Sequence, residues 1–299
     1  MKKSKNVWVL LAVLLCTAAT AAYAFVFVLW DDRTPPVITM DAEVLEVSVS
    51  ADDNALKTGV TARDNADGDV TDSILIEGIT GLNSSREATI TYAAFDSSGN
   101  VARQSRTVKY TDYTSPLFGQ KGSLTFSASA SANILNSMTA VDVLDGDISD
   151  RIKATLVSET GGLGYTGLHM VEFRVTNSMG DTQYITLPVE VYENGAYNAT
   201  VELTDYLIYL KPGEKFDPKE YLDSMSVGSS NYSLTRNTAN TRVYVNSHAT
   251  PSDSDVRAIY VDIENSVDTS VPGVYSVLYK AKYEDMYTGC ARLNVVVEE

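Results

Sequence analysis

The chain has 299 residues, with 39 acidic against 23 basic side chains, a formal charge of −16 and an isoelectric point near 4.5. A surface of that sign repels nucleic acid and other polyanions, so no nucleic-acid partner is expected. With two histidines, two cysteines and no His-Glu-x-x-His, Gly-x-Ser-x-Gly, Cys-x-x-Cys or P-loop pattern, the parts for zinc hydrolysis, acyl transfer and nucleotide chemistry are missing. The sequence assigns no catalytic residue, cofactor or metal ligand, and an enzyme is not expected.

Residues 1–6 hold Lys2, Lys3 and Lys5, residues 7–30 hold no charge, and Asp31 and Asp32 follow at once. A helix over 7–30 is about 36 Å long, enough to cross a hydrocarbon core of about 30 Å. Lysines before the run and acids after it predict a cytoplasmic N-terminus and an extracellular remainder, with Trp8 and Trp30 at the two headgroup layers. The expected location is therefore the cell membrane, single-pass, with the lipid bilayer as partner of residues 7–30. Cleavage after Ala24 in Ala22-Tyr23-Ala24 is the competing reading. The apolar run continues to Trp30, past the length of a secretory core, and favours an uncleaved signal anchor. Leu15 before Cys16 does not fit lipidation.

Beyond the run, Cys290 is the only cysteine, so no intramolecular disulfide is possible there and each folded part rests on its own core. Three modules are predicted, at 34–112, 113–193 and 194–299. The repeat shows in Asp64-Asn65-Ala66-Asp67-Gly68-Asp69-Val70-Thr71-Asp72 against Asp142-Val143-Leu144-Asp145-Gly146-Asp147-Ile148-Ser149-Asp150. Ile90, Tyr92, Ala94, Asp96, Ser97 and Gly99 match Val171, Phe173, Val175, Asn177, Ser178 and Gly180 in the same way. The third copy keeps only the closing half, where Gly273-Val274-Tyr275-Ser276-Val277 answers Gly167-Leu168-His169-Met170-Val171.

Within each copy, apolar residues alternate with polar ones over short runs such as Glu43-Val44-Leu45-Glu46-Val47 and Thr89-Ile90-Thr91-Tyr92, the period of a half-buried strand. Ser97-Ser98-Gly99-Asn100 reads as a hairpin turn, and Asp217-Pro218-Lys219-Glu220 as one helical turn with proline first. The fold class expected is all-β: three tandem antiparallel sandwiches behind one transmembrane helix.

Pro35-Pro36-Val37-Ile38, Asp67-Gly68-Asp69-Val70-Thr71 and the run from Tyr92 to Asn100 resemble bacterial immunoglobulin-like domains of the hyalin-repeat-related type, found in tandem on Gram-positive surface proteins. Val267-Asp268-Thr269-Ser270-Val271-Pro272-Gly273 is similar to the same family. The resemblance implies immunoglobulin-like sandwiches and a non-catalytic surface role, without naming a ligand. The third module departs most: it lacks the Asp-Gly-Asp turn and carries an extra polar segment over 231–255.

Two features leave alternatives open. Asp64, Asp67, Asp69 and Asp72, repeated as Asp142, Asp145, Asp147 and Asp150, are either self-bonded acidic turns or calcium ligands. The tyrosines crowded into the third module, among them Tyr192, Tyr206, Tyr209, Tyr221, Tyr260, Tyr275 and Tyr279, either fill a sandwich core or form a binding face. His169 is expected on a strand face and His248 in a loop. The function expected is adhesion or binding of cell-envelope polysaccharide or surface protein through the distal module. The alternative is a structural subunit of an envelope assembly without ligand affinity of its own.

Overall fold

The computed structural model describes residues 2–30, 32–127, 133–157, 162–192, 199–227, 230–232, 234–236, 243–245, 260–283 and 286–299. Side chains are described for 8–23 of the first helix, and are left out over 227–259 and 283–288. His248 and most of the segment 231–255 therefore lie outside the described residues.

The N-terminal run forms one helix, Lys2–Trp30. Its described side chains, 8–23, are all exposed, as in Trp8, Leu10, Leu14 and Leu15. Among the described residues no helix is long and apolar enough to cross a membrane. The expectation over 7–30 is met as a helix.

The rest is β-sheet, in two compact units, Met1–Tyr113 and Thr114–Glu299. In the first unit, Val37–Met40, Val60–Asp64 and Gly68–Asp69 form one antiparallel sheet. Val44–Val47, Val101–Tyr110, Glu87–Phe95 and Leu75–Thr80 form the other. The strand Val60–Asp64 shows why: Val60, Ala62 and Asp64 are buried while Thr61 and Arg63 face solvent, the two-residue period of a sheet with one wet face. In the other sheet Ile90, Tyr92, Ala94 and Val108 are fully buried.

The second unit repeats this layout at Leu117–Gln120, Met138–Asp142 and Gly146–Asp147, facing Lys153–Leu156, Gly167–Thr176, Thr182–Tyr192 and Thr125–Ser127. Phe118, Met138 and Ala140 of the smaller sheet, with Ile148 just after it, share one core with Val171, Phe173, Val175 and Leu187 of the larger. A third pair of sheets follows. Ala199, Val201, Leu203 and Met225 pack against Val261, Val277, Tyr279, Ala291 and Leu293. At one end these two sheets come so close that a Cβ on Gly289 would lie 2.0 Å from the Ala199 carbonyl oxygen, so only glycine fits. The proline turn is a short 3-10 helix, Pro218–Tyr221, whose Asp217 carboxylate accepts the Lys219 N–H at 3.0 Å.

One expectation changes. The sandwiches are not purely antiparallel: Val44–Val47 runs parallel to Val101–Tyr110, Thr125–Ser127 to Thr182–Tyr192, and Leu207–Leu210 to Met286–Val297. Each early strand leaves one sheet and joins the other beside the closing strand, which runs the same way. That pairing covers an edge of the larger sheet. Leu207 of the third repeat is part of the buried core of the second, with Tyr209 and Val296 against it.

Candidate functional site

The two acidic turns are one device built twice. Asp64 Oδ1 accepts the N–H groups of Ala66 at 2.7 Å and Asp67 at 3.0 Å, and Asp142 Oδ1 accepts those of Leu144 and Asp145, both at 3.0 Å. Asp67 accepts the N–H and hydroxyl of Ser97, and Asp145 those of Ser178. Asp69 and Asp147 accept the N–H groups of Thr71 and Ser149 at 3.0 Å, while Asp72 and Asp150 are exposed. Gly68 and Gly146 take φ of +79° and +73°, which closes each turn without strain. Asp64, Asp69, Asp142 and Asp147 thereby form Asx turns, Asp67 and Asp145 tie each turn to a hairpin serine, and Asp64, Asp67, Asp69 and Asp72 do not converge as a ligand set.

What does converge lies elsewhere. Asp64 meets Asp32, which follows the N-terminal helix, and Asp96, which opens the hairpin turn, with one carboxylate oxygen of each lying within 4.8 Å of the others. Sequence spacing places these three residues far apart, and only the fold assembles them. The N–H groups of Asp67 and then Ala66 hold the Asp64 carboxyl below the usual carboxylate range.

The tyrosines of the third repeat serve the interior. Tyr206, Tyr260 and Tyr279 are buried, Tyr192, Tyr209, Tyr221 and Tyr275 are half-buried, and none of the described ones is exposed. Their hydroxyls donate to the Glu202 carboxylate from Tyr206 at 2.6 Å, to the Phe118 carbonyl from Tyr209 at 3.0 Å, to Val271 from Tyr275 at 3.0 Å and to Pro218 from Tyr279 at 2.6 Å. Burial pushes the Tyr209 phenol up to about 12 and raises those of Tyr206 and Tyr279 as well. Tyr197, Tyr232, Tyr244, Tyr283 and Tyr287 fall outside the described side chains. His169 is 2% exposed, its Nε2 paired with the Tyr165 carbonyl at 2.8 Å, which places it in the interior of its sandwich.

Where the second and third repeats meet inside the second unit, a cleft of about 400 Å³ opens between Lys121, Ser123, Tyr192, Thr200, Glu202 and Tyr206. One cation, one carboxylate, hydroxyls and two ring edges in one groove suit hydrogen bonding to a polar chain such as a glycan or an extended peptide. The seam below is held by Asn294, fully buried, whose Nδ2 donates to Gln120 Oε1 at 2.8 Å. Repeat spacing could not reveal this cleft, because it exists only where two repeats share a core.

No family model matches the chain. An uncharacterized 81.3 kDa protein of Acholeplasma phage L2 is 30% identical over 102 residues, covering 33% of this chain and 13% of that protein. Among solved structures, the M60 catalytic domain with two CBM51 domains from Clostridium perfringens ZmpB is matched over 87% of this chain and 42% of its own, at 11% identity and a TM-score of 0.25. Drosophila N-cadherin EC1-4 is matched over 90% and 76%, at 15% identity and a TM-score of 0.22. The chain thus spans about an eighth of the phage relative and less than half of the clostridial chain. At these scores the assignment rests on the chain's own sheet pairs and cores: tandem β-sandwiches behind an N-terminal helix.

Proposed function

We propose that this chain is a non-catalytic, membrane-anchored bacterial surface protein that binds cell-envelope polysaccharide or a surface protein through its C-terminal unit. The observation that carries the binding half is the cleft between the second and third repeats, with Lys121, Glu202, Tyr192 and Tyr206 presenting mixed polar and aromatic edges. The anchoring half is supported by the uncharged run at 7–30, set between Lys2, Lys3 and Lys5 and the acids Asp31 and Asp32. Full-length protein in detergent micelles, tested for capture of isolated cell-wall polysaccharide and of envelope proteins, checks this. Saturable capture that is lost in Thr200→Arg, which fills the cleft from an exposed position, is the expected result; undiminished capture by the variant removes the cleft from the reading. A second reading, a structural subunit without ligand affinity, is favoured by the use of the Tyr209 and Tyr279 hydroxyls in bonds to the carbonyls of Phe118 and Pro218. It predicts no capture, and co-purification with other envelope proteins instead. Membrane attachment is checked separately, by the carbonate resistance of the full chain against a chain starting at residue 31.

A further inference from the structure

The first two repeats differ in how one buried aspartate is satisfied. In the second, the buried Asp142 has both carboxylate oxygens satisfied: Oδ1 by its turn and Oδ2 by the Asn177 amide, which donates from Nδ2 at 3.1 Å. In the first, Asp64 occupies the same position, 4% exposed, with the same turn on Oδ1. The residue matching Asn177 is Asp96, an acceptor where a donor stood. Asp64 Oδ2 is consequently buried with no hydrogen-bond partner, and so is Asp32 Oδ2.

Asp96 is held in place by Asn100, whose N–H and Nδ2 each donate to it at 2.7 Å, and Asn100 Nδ2 also reaches the Asp32 carbonyl at 2.9 Å. Asp32 Oδ1 accepts the Thr34 N–H at 3.0 Å. Three carboxylates thus face one point, two of them with a buried oxygen that nothing satisfies. Burying such charge uncompensated is costly. A hard divalent cation that takes carboxylate oxygens at about 2.3–2.6 Å and completes its shell with water removes that cost.

We infer that Asp32, Asp64 and Asp96 form a calcium site that ties the segment leaving the N-terminal helix to the turn and the hairpin of the first sandwich. It is distinct from the local carboxylate spacing of the acidic turns, and the second repeat has replaced it with an Asp142–Asn177 hydrogen bond.

The second repeat also supplies the test. Asp96→Asn brings in the Asn177 side chain: its Oδ1 keeps the Asn100 N–H and its Nδ2 donates to Asp64 Oδ2 in place of the cation, in exchange for the bond from Asn100 Nδ2, which still reaches the Asp32 carbonyl. Full-length protein in detergent micelles, stripped with chelator, is titrated with calcium chloride by calorimetry up to about 10 mM, which covers the range of extracellular calcium modules. Thermal unfolding is followed with calcium and with chelator.

The wild type is expected to bind one calcium saturably, with the transition of the first unit raised by roughly 10 °C at about a hundred times Kd. Asp96→Asn is expected to lose at least tenfold in affinity and the calcium-dependent shift, while its midpoint in chelator equals or exceeds that of the wild type. Asp32→Asn, which leaves turn and hairpin intact, is expected to weaken binding likewise. No saturable binding by the wild type, or equal binding by wild type and both variants, overturns the site.

Discussion

The guanidinium of Arg106 lies 5.4 Å over the ring of Tyr92 while its Nε donates to the Tyr92 hydroxyl at 2.9 Å. Its Nη2 donates to the Leu56 and Thr58 carbonyls at 3.1 and 2.8 Å, and the Tyr92 hydroxyl donates to Leu56 at 2.6 Å. A buried cation is thereby tied to two carbonyls around the short helix Asp53–Leu56, which bridges to the strand Val60–Asp64. In the second repeat the matching pair is Phe173 and Leu187, both fully buried and purely apolar. The same sandwich is closed once by hydrogen bonds and once by hydrocarbon.

Arg106→Leu is therefore expected to destabilise the first unit by about 2–4 kcal/mol, because leucine fills the space but leaves the Thr58 carbonyl without its donor. Tyr92→Phe removes one hydroxyl while Nη2 still serves Leu56, and about 1–2 kcal/mol is expected. Since each variant already breaks the shared Nε–hydroxyl bond, the double variant should cost less than the sum. Urea unfolding of the four proteins, read as a double-mutant cycle, checks the coupling. Strictly additive costs would mean that the pair does not act as a unit.

The contrast between these repeats also marks how far the sequence reaches. Strand periods, the hairpin at Gly99 and the paired acidic turns are local, set by residues a few positions apart, and these are legible. The meeting of Asp32, Asp64 and Asp96 is set by which strand lies beside which, and alternation reports a face, never a neighbour. One signal was available: the repeats align Asp96 with Asn177, an exchange of acceptor for donor opposite a residue that both copies keep as aspartate. The shared core of the second and third repeats had no such signal, since Leu207 and Tyr209 fit the interior of either. The parallel closing strands were hidden for the same reason, because period two carries no direction.

The seam inside the second unit depends on one buried amide. Asn294 is fully buried, its N–H donates to the Tyr206 carbonyl at 2.9 Å, and its side chain donates to Gln120, whose Nε2 in turn donates to the Gly122 carbonyl at 2.8 Å. Asn294→Ala strips Gln120 Oε1 of its donor in a dry site and is expected to cost about 1–3 kcal/mol. Tyr209→Phe, which frees the Phe118 carbonyl next to it, should cost about 1 kcal/mol. Both fall on the same contact, so the second unit is expected to unfold in one transition in the wild type and in two in the double variant, as seen by calorimetry. A transition that stays single and merely shifts would show that the apolar part around Leu207 suffices to couple the repeats.

Stability should fall away at both ends of the pH scale, for opposite reasons. Asp69, Asp112, Asp147 and Asp268 are held below the usual carboxylate range, chiefly by the hydroxyls of Thr71, Ser48, Ser149 and Ser270 and then by backbone N–H groups. A depressed folded value means that the unfolded chain takes up protons first as pH drops. Their contribution is complete above the unfolded value of about 3.9 and is lost as pH falls through the lower folded values. The Tyr209 phenol, raised by burial to about 12, works the other way: stability is complete below about 10, where the unfolded phenol titrates, and is lost between there and 12. The thermal midpoint is expected to be level from about pH 5 to 9 and to drop on either side. Asp147→Asn, which keeps an acceptor for the Ser149 N–H, should make the acid limb of the second unit shallower, with Asp268 still contributing, and Tyr209→Phe should make the alkaline limb shallower, with Tyr206 and Tyr279 still contributing. An acid limb as steep in Asp147→Asn as in the wild type would assign the acid loss to other carboxylates.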